Sequence, residues 1–237
     1  MGARDVARPK VPLISKRKAL EAALDIIDTE GIDALSIRRL AERLKVNGAS
    51  LYHHFENKDE IVVGAAKLAL EDVRTPLTYD EPWRIWIMRN NRTLRQAFRD
   101  HPHIVPVMLR RDPLQIGASQ LDATAARLEA EGVPVGAIAP MLEALELYAV
   151  SSALHEGRSQ EHDIRGTADE DAEETAEDVR TPHLRKAFAQ RALTPDEVFD
   201  KVCGQIIDTV VATAAERAAA APTPKPAARQ RRAKASA

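Results

Sequence analysis

SIRRLAERLKVNGASLYHHFENK, residues 36–58, reads as two short helices joined by a tight turn. Ser36 is placed to cap the first helix, and Ile37, Leu40, Ala41 and Leu44 recur at the spacing of one helix face. Asn47 and Gly48 make the turn, and the second helix is predicted from about Gly48 to Phe55. Leu40, Leu44, Val46, Leu51 and Phe55 have the spacing to lock both helices into a shared core. Such a pair is a helix-turn-helix, whose second helix enters the DNA major groove while the first braces it across the backbone. Gly48, Ala49, Ser50, Tyr52, His53 and His54 are left on the outer faces of the short helix. Gly48 and Ala49 have almost no side chain and let the helix end approach base edges. Ser50 can donate or accept at a base or phosphate, and Tyr52 and His54 can donate to phosphate oxygens. For His53, phosphate contact and packing stand level. Lys58 opens the next helix, where backbone amides and an ammonium together favour an anion. Arg38 and Arg39, in the first turn of the bracing helix, are placed to do the same.

Upstream, Ser15 is a plausible cap for a helix carrying Ala19, Leu20, Ala23, Leu24 and Ile27 inward, stopped by Gly31. Residues 1–14 are basic, hold Pro9 and Pro12, show no period, and are expected to form a flexible arm. Downstream, a helix from Asn57-Lys58-Asp59 buries Ile61, Val62, Ala65, Leu68 and Ala69, closing a head domain at 15–74. A break at Thr75-Pro76-Leu77-Thr78 leads to a larger helical domain, 75–220. Its first helix starts at Glu81-Pro82-Trp83, with proline in the first turn, and runs to about Asp100 with Trp83, Ile87, Leu94 and Phe98 on one side. A short helix to about Leu109, another from Pro113 to Gly132, and a long apolar one from Val135 to His155 are predicted next. Residues 157–180 lack apolar periodicity and are expected to be a mobile loop. After a short helix near Leu184–Gln190, Thr194-Pro195-Asp196-Glu197 is a capping box. It opens a last helix with Phe199, Val202, Ile206, Val210 and Thr213 as its stripe. Residues 221–237 collapse to Ala, Pro, Lys and Arg and read as a disordered basic tail. The fold class expected is all-α.

The formal net charge of −2 hides an uneven distribution. Residues 1–58 carry eleven Lys/Arg against eight Asp/Glu, whereas residues 169–178 hold seven acids and no base. From Pro222 onward there are five bases and no acid. A basic front is compatible with nucleic acid, and the tail with added phosphate attraction. The single cysteine, Cys203, excludes an intramolecular disulfide and reads as a buried structural thiol. No apolar stretch approaches a membrane span, and the start MGARDVARPKVPLISKRK lacks the apolar run of a signal peptide, so a cytoplasmic protein is expected. No phosphate-binding glycine loop, Ser-His-acid pattern or metal cluster points to an enzyme, and no cofactor is expected. His101, His103, His155 and His162 have no helical ligand spacing and read as surface or capping residues rather than a metal site.

The run Ala41 to Lys58, above all SLYHHFENK at 50–58, resembles the signature of the tetracycline-repressor (TetR) family. Gly31-Ile32-Asp33-Ala34-Leu35-Ser36 also fits that family's connection between its first two helices. The resemblance covers about residues 15–72, and the order of later helices is similar to the tetracycline-repressor C-terminal subgroup. It implies a homodimer whose two heads occupy a palindromic double-stranded DNA operator, and a small-molecule effector that spreads the heads and releases DNA. It also implies DNA contact by Gly48, Ala49, Ser50, Tyr52, His54 and Lys58. Where the family's tetracycline binders carry a histidine metal ligand, this chain has Met108 and Leu109. Glu156 falls near their acidic position, but one carboxylate does not make a tetracycline–magnesium site.

An effector pocket in the larger domain is expected to draw on Trp83, Trp86, Met108, Leu109, Tyr148 and His155, with Met88 in the same aromatic and methionine-rich set. Core packing explains each of these singly. The helices at about 135–155 and 195–219 are too apolar for surface helices. Paired with a second copy they form a four-helix bundle, with Ser151, Ser152 and Ala153 allowing close approach. The alternative function is a small-molecule carrier with a vestigial DNA head, against which the intact Tyr52 to Lys58 run stands.

Overall fold

Helices and their connections, with no strand, make up the described residues of the computed structural model, which are 14–71, 73, 81–110, 113–161 and 181–220. In chain order the helices are α1 (Lys16–Glu30), α2 (Ile37–Leu44), α3 (Gly48–Leu51), α4 (Lys58–Ala69), α5 (Trp83–Asp100) and α6 (Val105–Arg110). They are followed by α7 (Pro113–Ala130), α8 (Val135–Glu161), α9 (Pro182–Ala189) and α10 (Pro195–Ala220). Short 3₁₀ turns at Ile32–Ala34 and Pro102–Ile104 complete the set. The all-α expectation holds. The basic arm up to Leu13, the break at 75–78, the acidic run 169–178, His162 and the tail from 221 lie outside the described residues.

The head is built by local rules. Ser15 caps α1 by accepting from the Lys18 amide, and Gly31, at φ 85°, ends it with its own N–H on the Ile27 carbonyl. Ser36 caps α2 from the Arg39 amide. Ala19, Ala23, Ile26, Ile27, Leu40, Leu51, Phe55 and Ile61 are buried together, each large apolar side chain contributing roughly 1.5–3 kcal/mol of transfer free energy. The same cluster continues through Ala97, Phe98, Ile104, Val105, Val107, Val150 and Ala153 of the body. Head and body therefore share one core rather than touching at a polar seam. His101 Nδ1, at 2.7 Å from Asp28 Oδ2 of α1, adds a polar tie across that junction.

A second core belongs to the body alone: Trp86, Leu128, Ala137, Met141, Leu145, Ala149, Phe199, Cys203 and Ile207, drawn from α5, α7, α8 and α10. Leu94 packs against both cores. Pro82 sits just before α5 rather than inside it, and the C-terminal end of α7 closes that helix start. There the Trp83 amide donates to Glu131 Oε2 at 2.9 Å, and Arg127 donates to the Glu81 carbonyl at 2.9 Å. The capping box is present, with Thr194 and Glu197 exchanging backbone-to-side-chain bonds of 2.8 and 3.2 Å. Along α10 the buried row is Phe199, Cys203 and Ile207: Phe199 is buried as predicted, while Cys203 and Ile207 each lie one position past the predicted Val202 and Ile206, and Ile206 and Val210 are only partly buried.

Two expectations about α8 need correction. The helix runs to Glu161, past the predicted end at His155. Its segment Val135–Glu156 is also long and apolar enough to cross a membrane by composition, at mean hydropathy 1.3. Here it is a core helix: Ala137, Met141, Leu145 and Ala149 are buried against α5, α7 and α10.

Candidate nucleic-acid interface and effector cavity

α3 is shorter than predicted, ending at Leu51, and Tyr52, His53 and His54 follow it as turns. The backbone still coils, because the amides of His54 and Phe55 both donate to the Leu51 carbonyl, at 2.9 and 3.0 Å. This sends Leu51 and Phe55 into the core and leaves Tyr52 61% exposed. Between α2 and α3, Lys45 takes the left-handed conformation (φ 55°), and the amides of Lys45 and Val46 satisfy the last α2 carbonyls. Asn47 then caps α3, its Oδ1 accepting from the Ala49 amide at 3.0 Å. Ala49 and His53 are exposed, and Ser50 and His54 half-buried. The His54 ring meets Phe55 edge to face. Gly48 is not demanded by packing: a Cβ there would meet only Ile37 Cγ2, at 3.8 Å. Lys58 is exposed at the start of α4, whose cap is Asn57 Oδ1 on the Glu60 amide at 2.9 Å.

The arginines of α2 divide by role. Arg39 donates twice to Glu30, at 2.9 and 2.6 Å, and Arg43 reaches Glu30 and Asp25, so both pin α2 to α1. The Arg39 bonds hold the Glu30 carboxyl below its ordinary range. Arg39 is thus a brace and not a free phosphate ligand. Arg38 has a side chain 90% exposed and, among the described residues, carries only an i,i+4 pair with Glu42. Among the described residues Lys45 and Lys58 form no ion pair. Ala49, Tyr52, His53 and Lys58 are therefore exposed and Gly48 and Ser50 half-buried, interleaved with the buried Leu51 and Phe55, while Arg38 is exposed on the adjoining helix.

A cavity of about 610 Å³, partly open to solvent, lies between α5, α7 and α8, with Val73, just past α4, among its lining residues. Ile87, Leu94, Leu121, Ile138, Leu142 and Leu145 form its apolar wall. None of the six residues expected to line an effector pocket is among the lining residues of this cavity. Trp86 is fully buried in the second core, under the Arg127 guanidinium at 4.4 Å. Tyr148 stacks on Phe199 at 5.4 Å, and Trp83 packs against the same core. Met108 packs on the first core, while Leu109 and His155 are exposed. Aromatic side chains went to the core because their area is worth most there.

The polar residues of the cavity were missed. Asn90, Asn91, Thr124, Glu143 and Glu146 interrupt apolar helix faces, which is the signal that marks them. Asn91 donates to Cys203 Sγ at 3.1 Å, and burial pushes that thiol up to about 11. The expected structural thiol is what is found. Deeper in the body, Arg95 is buried against Glu156 and Asp196, with its guanidinium 4.4 Å from the Phe199 ring. Among the described residues no cluster of His, Cys, Asp or Glu fits a metal ion.

Residues 19–65 match the model of bacterial regulatory proteins of the tetR family, and residues 75–214 that of the tetracyclin repressor-like C-terminal domain. The chain is 35% identical over 91 residues to an HTH-type transcriptional regulator of Saccharopolyspora erythraea, a match covering 38% of this chain and 39% of that protein. It is 30% identical over 200 residues to the class A tetracycline repressor protein from transposon 1721 of Escherichia coli, covering 80% of this chain and 87% of the relative. Among solved structures, the Streptomyces coelicolor TetR-family protein ActR in complex with actinorhodin superposes with TM-score 0.62 at 27% identity, over 85% of this chain and 98% of that one. With the helix-turn-helix head in place, a helical body behind it and both family models matched, the chain belongs to the tetR family of bacterial regulatory proteins, ligand-responsive transcription repressors.

Proposed function

We propose that the chain acts in the cytoplasm as a homodimer, gripping a palindromic operator through two heads and letting go when a small molecule fills the cavity. The observation that carries this is the division of residues 48–58. Leu51 and Phe55 are buried, while Ala49, Tyr52, His53 and Lys58 are turned outward with no packing role. Gly48, Ala49 and Ser50 read bases, and Arg38, Tyr52, His53, His54 and Lys58 hold phosphates. A glycine that the fold does not require at position 48 is explained by close approach to the groove. Fluorescence anisotropy with the gene's own upstream DNA and a scrambled duplex tests the proposal. Selective binding is expected, with Tyr52→Phe weakening both duplexes alike and Ser50→Ala changing the preference between them. Equal affinity of the native protein for operator and scrambled DNA would sink it.

Two chains meet through α8 and α10. On α8, Leu147 is 63% exposed, and an apolar groove runs between Val135, Gly136 and Pro140 of α8 and Thr209, Val210 and Thr213 of α10. Ser151 is exposed and Ser152 half-buried, but Ala153 faces the protomer's own core, so it is not available to a partner. Burying the exposed rows of two copies yields a four-helix bundle. Light scattering coupled to size exclusion should give a dimer at micromolar concentration and a shift toward monomer in Leu147→Glu. A native monomer would overturn this contact. Ligand in the cavity bears on α5, α7 and α8, and on the chain leaving α4 at Val73. Because α4 packs on α1 and on α6 and α7, a push there rotates the head.

A further inference from the structure

We infer that the molecule for this cavity is an organic cation, an apolar body carrying a protonated amine. The inference rests on the cavity being the effector site, and the polar atoms on its wall carry it. Asp122 and Thr124 come from α7, Glu143 and Glu146 from α8, and Asn90 from α5, so three helices bring hydrogen-bond acceptors to one space. Among the described residues none of the three carboxylates has an ion-pair partner, Asp122 and Glu143 being exposed and Glu146 half-buried, and no Lys, Arg or His lines the cavity. Asn90 Oδ1 is buried without a hydrogen bond. Thr124, only 7% exposed, adds a buried hydroxyl-bearing side chain to the same wall.

An unpaired buried acceptor costs roughly 1–3 kcal/mol, which a ligand N–H on Asn90 Oδ1 would remove. Burial, and then the charge of Glu143, raise the Glu146 carboxyl above its ordinary range. A cation placed between Glu143 and Glu146 removes that repulsion and supplies N–H donors to the acceptors. An anionic ligand meets like charge with no base to answer it. A neutral one leaves the carboxylates unpaired. Ile87, Leu94, Ile138 and Leu142 take the apolar body.

Three compounds of one skeleton separate the cases: 3,3-diphenylpropylamine, 3,3-diphenylpropan-1-ol and 3,3-diphenylpropanoate. Each is titrated calorimetrically into the full-length protein in buffer containing EDTA, so that no metal chelate supplies the positive charge. The amine should bind at least about tenfold tighter than the alcohol, as a charge-assisted hydrogen bond requires, and the carboxylate weakest. In the Glu143→Gln/Glu146→Gln double variant, amine and alcohol should come within about threefold of each other, equivalent to less than about 1 kcal/mol. Amine binding no tighter than alcohol binding, an unchanged amine preference in the double variant, or no binding by any of the three would overturn the inference. Operator release, followed by native gel shift, reads the effector role separately. An amine held selectively but without release keeps the cation assignment and removes the effector reading. Charge-blind binding with release does the reverse.

Discussion

Replacing Glu156 by alanine should lower the unfolding free energy by about 3–5 kcal/mol, the range for removing one member of a buried ion pair. Glu156 is 6% exposed and accepts a hydrogen bond from Arg95, and Arg99 pairs with its other oxygen. Without it, the buried Arg95 guanidinium keeps only Asp196, in the first turn of α10, and the face of Phe199. An exposed pair would matter far less, because water would replace the lost partner. The three elements tied here are α5, α8 and α10, so the loss falls on the body and not on the head. Urea unfolding of wild type, Glu156→Ala and Glu156→Gln checks this, with the glutamine variant between the other two because it keeps a hydrogen bond without the charge. A change below about 1 kcal/mol for alanine would mean that Arg95 finds water or that Asp196 alone suffices.

Operator affinity should fall by about 10³-fold when salt rises from about 50 to about 200 mM, given about three phosphates per head and two heads. The head's inner arginines do not contribute: Arg39 and Arg43 are occupied by Glu30 and Asp25. In the proposed complex the burden falls on Arg38 and on Lys58, which among the described residues forms no ion pair, beside the hydroxyl of Tyr52. Lys58→Ala should reduce the slope of log affinity against log salt by about one per head. Anisotropy at four or five salt concentrations measures both slopes. A flat native slope would remove phosphate contact as the basis of binding.

The helix-turn-helix was legible because its signals are local. Ser36 and Asn57 cap helices through their own side chains, Gly31 stops α1, and Leu40, Leu51 and Phe55 recur at helical spacing. The split among the arginines was not legible. Arg38 and Arg39 are neighbours with the same side chain, and only the position of Glu30 on α1 makes one a brace and leaves the other outward.

For the body, sequence periodicity was enough for the helices and the capping box at Thr194, since both depend on residues within one turn. It found Phe199 on α10 but continued the buried row through Val202 and Ile206 instead of Cys203 and Ile207, because several rows of that helix are apolar and only the packing of α8 selects among them. The cavity lay further out of reach. Aromatic residues named for it fill the core instead, Trp86 beneath Arg127 and Tyr148 on Phe199. Its true marks are Asn90, Thr124, Glu143 and Glu146, polar groups on otherwise apolar helices. Whether such a group is solvated, paired or left facing a void depends on what three separate helices bring opposite it. Residues 36–58 by themselves determined that this chain carries a DNA-reading head; tertiary packing alone decided where the body leaves an unpaired polar wall, because an unmet hydrogen bond is a property of neighbours distant in the chain.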